Sequence, residues 1–270
     1  MTRLSKSLRL GKSHVRKVSH VNCISSISFI LSYGKFFHSR TNRSYDMKAF
    51  FDFINSSVGK KILMSLTGIF LCLFLLEHLA GNLLLLKNDG GEAFDAYAHF
   101  MGGNPIVRTL EVGLLGFILL HIVNGTRIWF QNRRARGKKY GVYRLADNTT
   151  LQSRMMALSA SLVLLFLVVH LRKFWVPARF YGEQSISSLV YATFREPFYV
   201  IFYIVALVVL SYHLRHGFQS AFQTLGWRTK KYFGVIDFIA VLFWLVVPIG
   251  FAIIPLYIYF FGGSAVAFAQ

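Results

Sequence analysis

Four histidines, His78, His121, His170 and His213, each stand inside a long apolar stretch of this 270-residue chain. An ionisable side chain in such a setting is costly enough to require a function. Neutral imidazole is a good transition-metal ligand, and two imidazoles that face one interior from different helices are what axial ligation of a haem iron requires. No Cys-X-X-Cys-His run is present, so covalent c-type haem attachment is excluded. With two cysteines, Cys23 and Cys72, the chain has neither a disulfide framework nor a cysteine metal cluster.

The elements that carry these histidines follow from hydropathy. Apolar residues make up 54% of the chain and charged residues 15%, with a mean hydropathy of +0.48, which points away from a soluble protein. Five apolar blocks, at about 62–86, 106–130, 155–178, 198–222 and 235–260, each approach the roughly 20 residues that a helix needs to cross the bilayer. A lipid-exposed backbone must satisfy its own hydrogen bonds, so blocks of this kind are predicted to be helices. The expected fold class is an all-α membrane protein, a bundle of five transmembrane helices. The net charge of +19 sits between the apolar blocks and reads as membrane topology, with no nucleic-acid partner expected. Lys48, Lys60 and Lys61 precede the first block. Arg133, Arg134, Arg136, Lys138, Lys139, Arg144 and Arg154 lie between the second and third, and Arg228, Lys230 and Lys231 follow the fourth. The basic side should be cytoplasmic, which puts the N-terminus inside and the C-terminus outside. Asp89, Glu92, Asp95, Glu183 and Glu196 lie in the opposite connections.

Depth then sorts the histidines. Counting 1.5 Å per residue from the basic end of each block, His78 lies roughly 24 Å in and His170 roughly 22 Å, whereas His121 and His213 both lie at roughly 13 Å. Two pairs at two levels emerge, His78 with His170 and His121 with His213, as two stacked haems b would need. Any one of these histidines alone reads better as an interhelical hydrogen bonder. Direct zinc coordination is disfavoured, since the pairs lie about 10 Å apart and lack carboxylate or thiolate completion. Gly125 and Gly217 stand one turn beyond His121 and His213, where a missing side chain leaves room for a flat macrocycle. Gly81 is a weaker version of the same feature beside His78.

Other polar residues have more open readings. Glu77, beside His78, is the one acid deep in an apolar block; it serves either proton movement or a structural hydrogen bond. Arg127, Arg215 and His216 lie near the inner ends of the second and fourth blocks, placed for haem propionate or quinone contact, or for snorkelling to lipid phosphate. Residues 1–46 carry nine Lys or Arg against a single acid, Asp46. They read as a basic leader: a mis-assigned start before Met47, a disordered tail or a targeting segment. The membrane domain is then expected over 47–262, with 263–270 a short tail.

The run Gly59-Lys60-Lys61 to Gly68, continuing through Glu77-His78-Leu79-Ala80-Gly81-Asn82, resembles the opening helix of the b558-type cytochrome b anchor of bacterial succinate dehydrogenases and fumarate reductases. The resemblance extends through Asn104-Pro105, the His121 and Gly125 helix, and His213-Leu-Arg-His-Gly217 to Gly226, covering about residues 56–260. It implies a single-chain, five-helix anchor with two non-covalent haems b, the outer held by His78 and His170 and the inner by His121 and His213, the same pairing as depth gives. It further implies an iron-sulfur subunit and an FAD-containing flavoprotein subunit on the cytoplasmic face of a bacterial inner membrane. The anchor would pass electrons between the iron-sulfur subunit and a membrane quinone, with menaquinone expected, while dicarboxylate chemistry stays in the flavoprotein. Ser211 departs from relatives that carry a proton-transferring glutamate two residues before the fourth ligand, so that route is not expected here. The rivals are the cytochrome b subunit of another quinone-linked dehydrogenase and a haem-free membrane protein.

Overall fold

A computed structural model describes residues 43–135, 151–182 and 185–265. Residues 1–51 form one unit by contact and 52–270 another. The described part of the first, residues 43–51, is the opening of a helix over Arg43–Asn55, along which Met47, Phe50 and Phe51 are exposed. Residues 1–42 of the leader lie outside the described residues, as do Arg136, Lys138, Lys139, Arg144 and Glu183 of the connections and the last five residues of the tail. The final helix runs on to Ala265, three residues into the segment expected to be tail.

Five helices are long and apolar enough to cross a membrane: Ser57–Leu86, Pro105–Arg134, Met155–Phe180, Pro197–Thr224 and Phe233–Gly262. These are the five predicted blocks, each lengthened by a few polar or interfacial residues that hydropathy alone trims. Among the described residues no strand occurs, and the chain is an all-α, multi-pass membrane protein. Their outward surfaces carry Leu, Val, Ile and Phe side chains more than half exposed, including Val112, Val168, Ile201 and Phe238. Such a surface is stable against hydrocarbon and unstable against water.

Helix packing sets the bundle's plan. The first span packs on the second and the fourth, the fourth on the third and the fifth, and the fifth returns to the first. The fourth span is therefore central, and its buried Tyr203, Leu207, Leu214 and Phe218 face neighbours on several sides. Neither the first and third spans nor the second and fourth are among the close-packed pairs of the described residues.

Two short helices close the end of the bundle away from the basic connections. Glu92–Gly103 joins the first span to the second, and Ile186–Phe194 joins the third to the fourth. Asp95 ties them together, accepting from the Ser187 backbone N–H at 2.8 Å and from the Ser185 and Ser187 hydroxyls at 2.8 and 2.7 Å. One carboxylate thus satisfies a free N–H at the start of a helix, where negative charge is favoured.

The third and fifth spans are each interrupted by a π-helical turn, Leu171–Trp175 and Leu242–Val246. Each turn ends two residues before a proline, Pro177 and Pro248. Proline lacks the N–H that would close the preceding turn and its ring crowds the carbonyl four residues back, so the helix widens there. The carbonyl freed by Pro248 is that of Trp244, and the Ser211 hydroxyl of the fourth span donates to it. A backbone group that lipid could not satisfy is thereby paired. The widened turn after His170 adds about 100° of rotation to the remainder of its helix. Beyond it, Trp175 Nε1 donates to Glu111 Oε1 at 2.5 Å and Arg179 Nε to the same oxygen at 2.8 Å, joining the third span to the second.

Candidate functional site

The interior histidines come from four different spans. His78 of the first span and His170 of the third have ring centroids 5.8 Å apart, with planes at 88°. Two imidazole nitrogens about 2 Å from one metal put their ring centroids about 6 Å apart, so this separation suits a shared ion. Phe74, Phe166, Phe174 and Phe251 stand around the pair with centroids 5.2 to 5.6 Å from one imidazole or the other. His121 of the second span faces the first span, and its Cε1 lies 3.4 Å from where a Cβ on Gly68 would stand. His213 of the fourth span lies in the neighbourhood of His121.

Each ring's Nδ1 has its own surroundings. That of His121 lies 3.1 Å from Thr67 Oγ1, and that of His170 lies 3.2 Å from the Tyr203 hydroxyl. Asn82 Nδ2 stands 3.4 Å from His78 Nδ1, a long contact, while donating to the His78 carbonyl at 2.7 Å. His213 Nδ1 is buried without a hydrogen-bond partner, which is expensive unless the ring has other work.

Two levels follow from these contacts independently of any membrane boundary. His121 meets the first span at Thr67, eleven residues from His78 on the same helix, and His170 meets the fourth at Tyr203, ten residues from His213. Each offset corresponds to about 15 Å of helix, somewhat more than the 10 Å expected from block edges.

Haem suits these residues on two counts. The helices bearing each pair are not among the close-packed pairs of the described residues, and the His78 and His170 rings have the separation a shared metal needs. Among the described residues no group of three or more His, Cys, Asp or Glu gathers to hold a metal in another way. The glycines divide. A Cβ at Gly125 or Gly217 would meet only the mobile methyl end of Met64 (3.2 Å) or Met156 (3.8 Å), as room for a flat group requires, but one at Gly81 would stand 2.5 Å from the Tyr97 ring. Gly81 therefore makes way for Tyr97, which donates to Glu77. Burial and then Glu77, by hydrogen bond and by charge, push the Tyr97 phenol above its usual range.

Glu77 itself is exposed on the bundle's flank. Arg127 is exposed near the inner end of the second span, and the exposed Arg215 lies over the Trp244 ring at 5.1 Å. His216 is partly buried one turn beyond His213, and the two imidazoles interact. Three polar residues escaped the sequence reading: Thr67, Tyr203 and Asn124. Asn124, one turn from His121 and 5% exposed, donates to the Lys60 carbonyl at 2.6 Å and pins the second span to the first. Its polarity within an apolar block was the available signal.

Fold and interior thus define a multi-pass α-helical bundle with four spans that each bring a histidine inside and with His78 and His170 close together. Among known proteins, the chain is similar to the succinate dehydrogenase cytochrome b558 subunit of Bacillus subtilis (strain 168), 26% identical over 176 residues, covering 62% of this chain and 83% of that one. No protein-family model matches the chain. No solved structure matches it.

Proposed function

We propose that this chain is the dihaem cytochrome b membrane anchor of a succinate dehydrogenase or fumarate reductase, passing electrons between an iron-sulfur subunit and a membrane quinone. The observation that carries the reading is the approach of His78 and His170, from different spans, to a ring separation of 5.8 Å. The similarity to a cytochrome subunit of succinate dehydrogenase supports it. His78 with His170 would hold one haem b and His121 with His213 the other. Haem b between two imidazoles supplies one-electron transfer without an open position for oxygen. The chain's own contribution is to fix the rings, exclude water and set the two levels about 15 Å apart. The flavoprotein and iron-sulfur subunits would dock on the basic, cytoplasmic face of a bacterial inner membrane, with the N-terminus inside and the C-terminus outside. Menaquinone is the expected quinone, with Arg127, Arg215 and His216 near enough to the inner pair to contact propionates or quinone.

The test is a dithionite-reduced minus oxidised spectrum of the purified protein, with haem quantified per chain as the pyridine haemochrome. Two haems b per chain in the parent, and loss of one in a His121→Ala variant, is the expected result. Folded protein without haem, or two haems retained in His121→Ala, would overturn the reading. Co-purification with flavoprotein and iron-sulfur subunits is expected; a molybdenum or nickel subunit in their place would assign the chain to a different dehydrogenase.

A further inference from the structure

We infer that Thr67 and Tyr203 are positioning residues, each accepting the Nδ1 proton of one imidazole so that its Nε2 is presented bare to iron, Thr67 acting on His121 and Tyr203 on His170. This rests on the haem reading above and deepens it. The argument for Thr67 is a count of protons. Its hydroxyl has one, and Oγ1 lies 2.8 Å from the Leu63 carbonyl and 3.1 Å from that of Met64, acceptors that can only receive it. Towards His121 Nδ1, 3.1 Å away, the same oxygen can then offer only a lone pair. Nδ1 must therefore carry the proton of the neutral ring, leaving a bare Nε2. Thr67 is completely buried, so no water or lipid competes for the bond.

Tyr203 bears on the other pair, where ligation and not a proton count sets the direction: with Nε2 on iron the neutral ring carries its proton on Nδ1, and the phenol oxygen accepts it. Its phenol is 3.2 Å from His170 Nδ1, and its ring is wedged edge-on among Phe166, Phe174 and Phe194 at centroid distances of 5.1, 6.3 and 5.0 Å. The hydroxyl thus has a fixed address. The helix that supplies His78 to one pair steadies His121 of the other, and the helix that supplies His213 steadies His170. An acceptor on the remote nitrogen raises the basicity of the ligating one and fixes the ring's orientation. A more basic imidazole favours the oxidised iron, so removing the acceptor should raise that haem's potential.

The experiment is redox titration of the two haems by visible spectroscopy and low-temperature EPR in Thr67→Val, Thr67→Ser and Tyr203→Phe, with His121→Ala and His170→Ala identifying each haem's signal. Loss of a neutral hydrogen bond shifts an equilibrium by about five-fold, which at ~59 mV per tenfold for one electron is about 40 mV. Thr67→Val should move the haem at His121 upward by that amount and alter its low-spin ferric EPR signal. Thr67→Ser should restore both, and Tyr203→Phe should move the haem at His170 instead. Loss of the haem at His121 from a folded Thr67→Val protein, regained in Thr67→Ser, would equally support positioning. Unchanged potentials and EPR signals in Thr67→Val and Tyr203→Phe proteins that keep two haems would overturn the inference, as would equal movement of both haems in either variant. If Thr67→Val does not fold, Tyr203→Phe decides alone. A parent without haem would instead defeat the underlying reading.

Discussion

Substituting Gly81 with alanine tests the packing beside the outer histidine pair, because two opposed effects of known size meet there. Alanine is favoured over glycine within a helix by about 0.8–1 kcal/mol. Against that, the new methyl would lie 2.5 Å from one carbon of the Tyr97 ring and 2.9 Å from its Cζ and hydroxyl oxygen. A ring cannot fold away as a methionine end can, so Tyr97 must withdraw and its bond to Glu77 must break. Overpacking costs about 1–3 kcal/mol, and an interhelical hydrogen bond within a bundle adds about 0.6. Clash should win, and Gly81→Ala should destabilise the protein by about 1–2 kcal/mol. With the ring removed in Tyr97→Ala, the same methyl should be neutral or stabilising by up to about 1 kcal/mol. The two backgrounds are compared as a double-mutant cycle, by unfolding purified protein in mixed micelles of increasing SDS content and following helical circular dichroism. Equal effects of Gly81→Ala with and without the Tyr97 ring would refute the reasoning.

Asn124→Leu should remove the second bond to the Lys60 carbonyl and loosen the second span from the first, costing about 0.6–1.7 kcal/mol in the same unfolding assay. Ser211→Ala should cost a similar amount by stranding the Trp244 carbonyl; in a Pro248→Ala background a backbone N–H returns to that carbonyl, so the cost should largely vanish, and an undiminished cost would contradict the pairing. The Tyr97 phenol is raised above its ordinary value of 10.0, so its contribution to stability is full below about pH 10 and is lost as pH rises from there through the folded value. Tyr97→Phe should therefore show a shallower loss of stability above pH 10 than the parent, and identical alkaline profiles would count against the Glu77 contact.

Much of the site was legible in the sequence because its signals are chemical and sparse. A histidine among leucines and valines stands out, and helical rise converts its position into a depth, so the pairing of His78 with His170 could be set down before any fold was known. Thr67 and Tyr203 could not be read that way. A threonine within an apolar helix satisfies itself by bonding to its own preceding turn, and a tyrosine among phenylalanines looks like core; only the arrival of His121 and His170 from other helices gives either hydroxyl a second partner. Gly81 was misread for a related reason. Its spacing from His78 imitates that of Gly125 from His121, but the space it leaves is filled by Tyr97 from a short helix whose approach no periodicity announces. Ser211 carried a sequence signal in its departure from a glutamate, and Pro248 carried another. That the two belong together depends on the fourth and fifth spans lying side by side.

The sequence by itself determined that five segments cross the membrane and that four of them bring a histidine inside. Hydrocarbon leaves a spanning segment little choice but a helix, and along a helix every residue has a fixed depth. Only the tertiary structure decided which helices touch, that His78 and His170 come within 5.8 Å of each other, and which hydroxyl meets which imidazole. Those outcomes depend on azimuth as well as depth, and azimuth is set by side chains from other helices and by π turns that rotate everything beyond them.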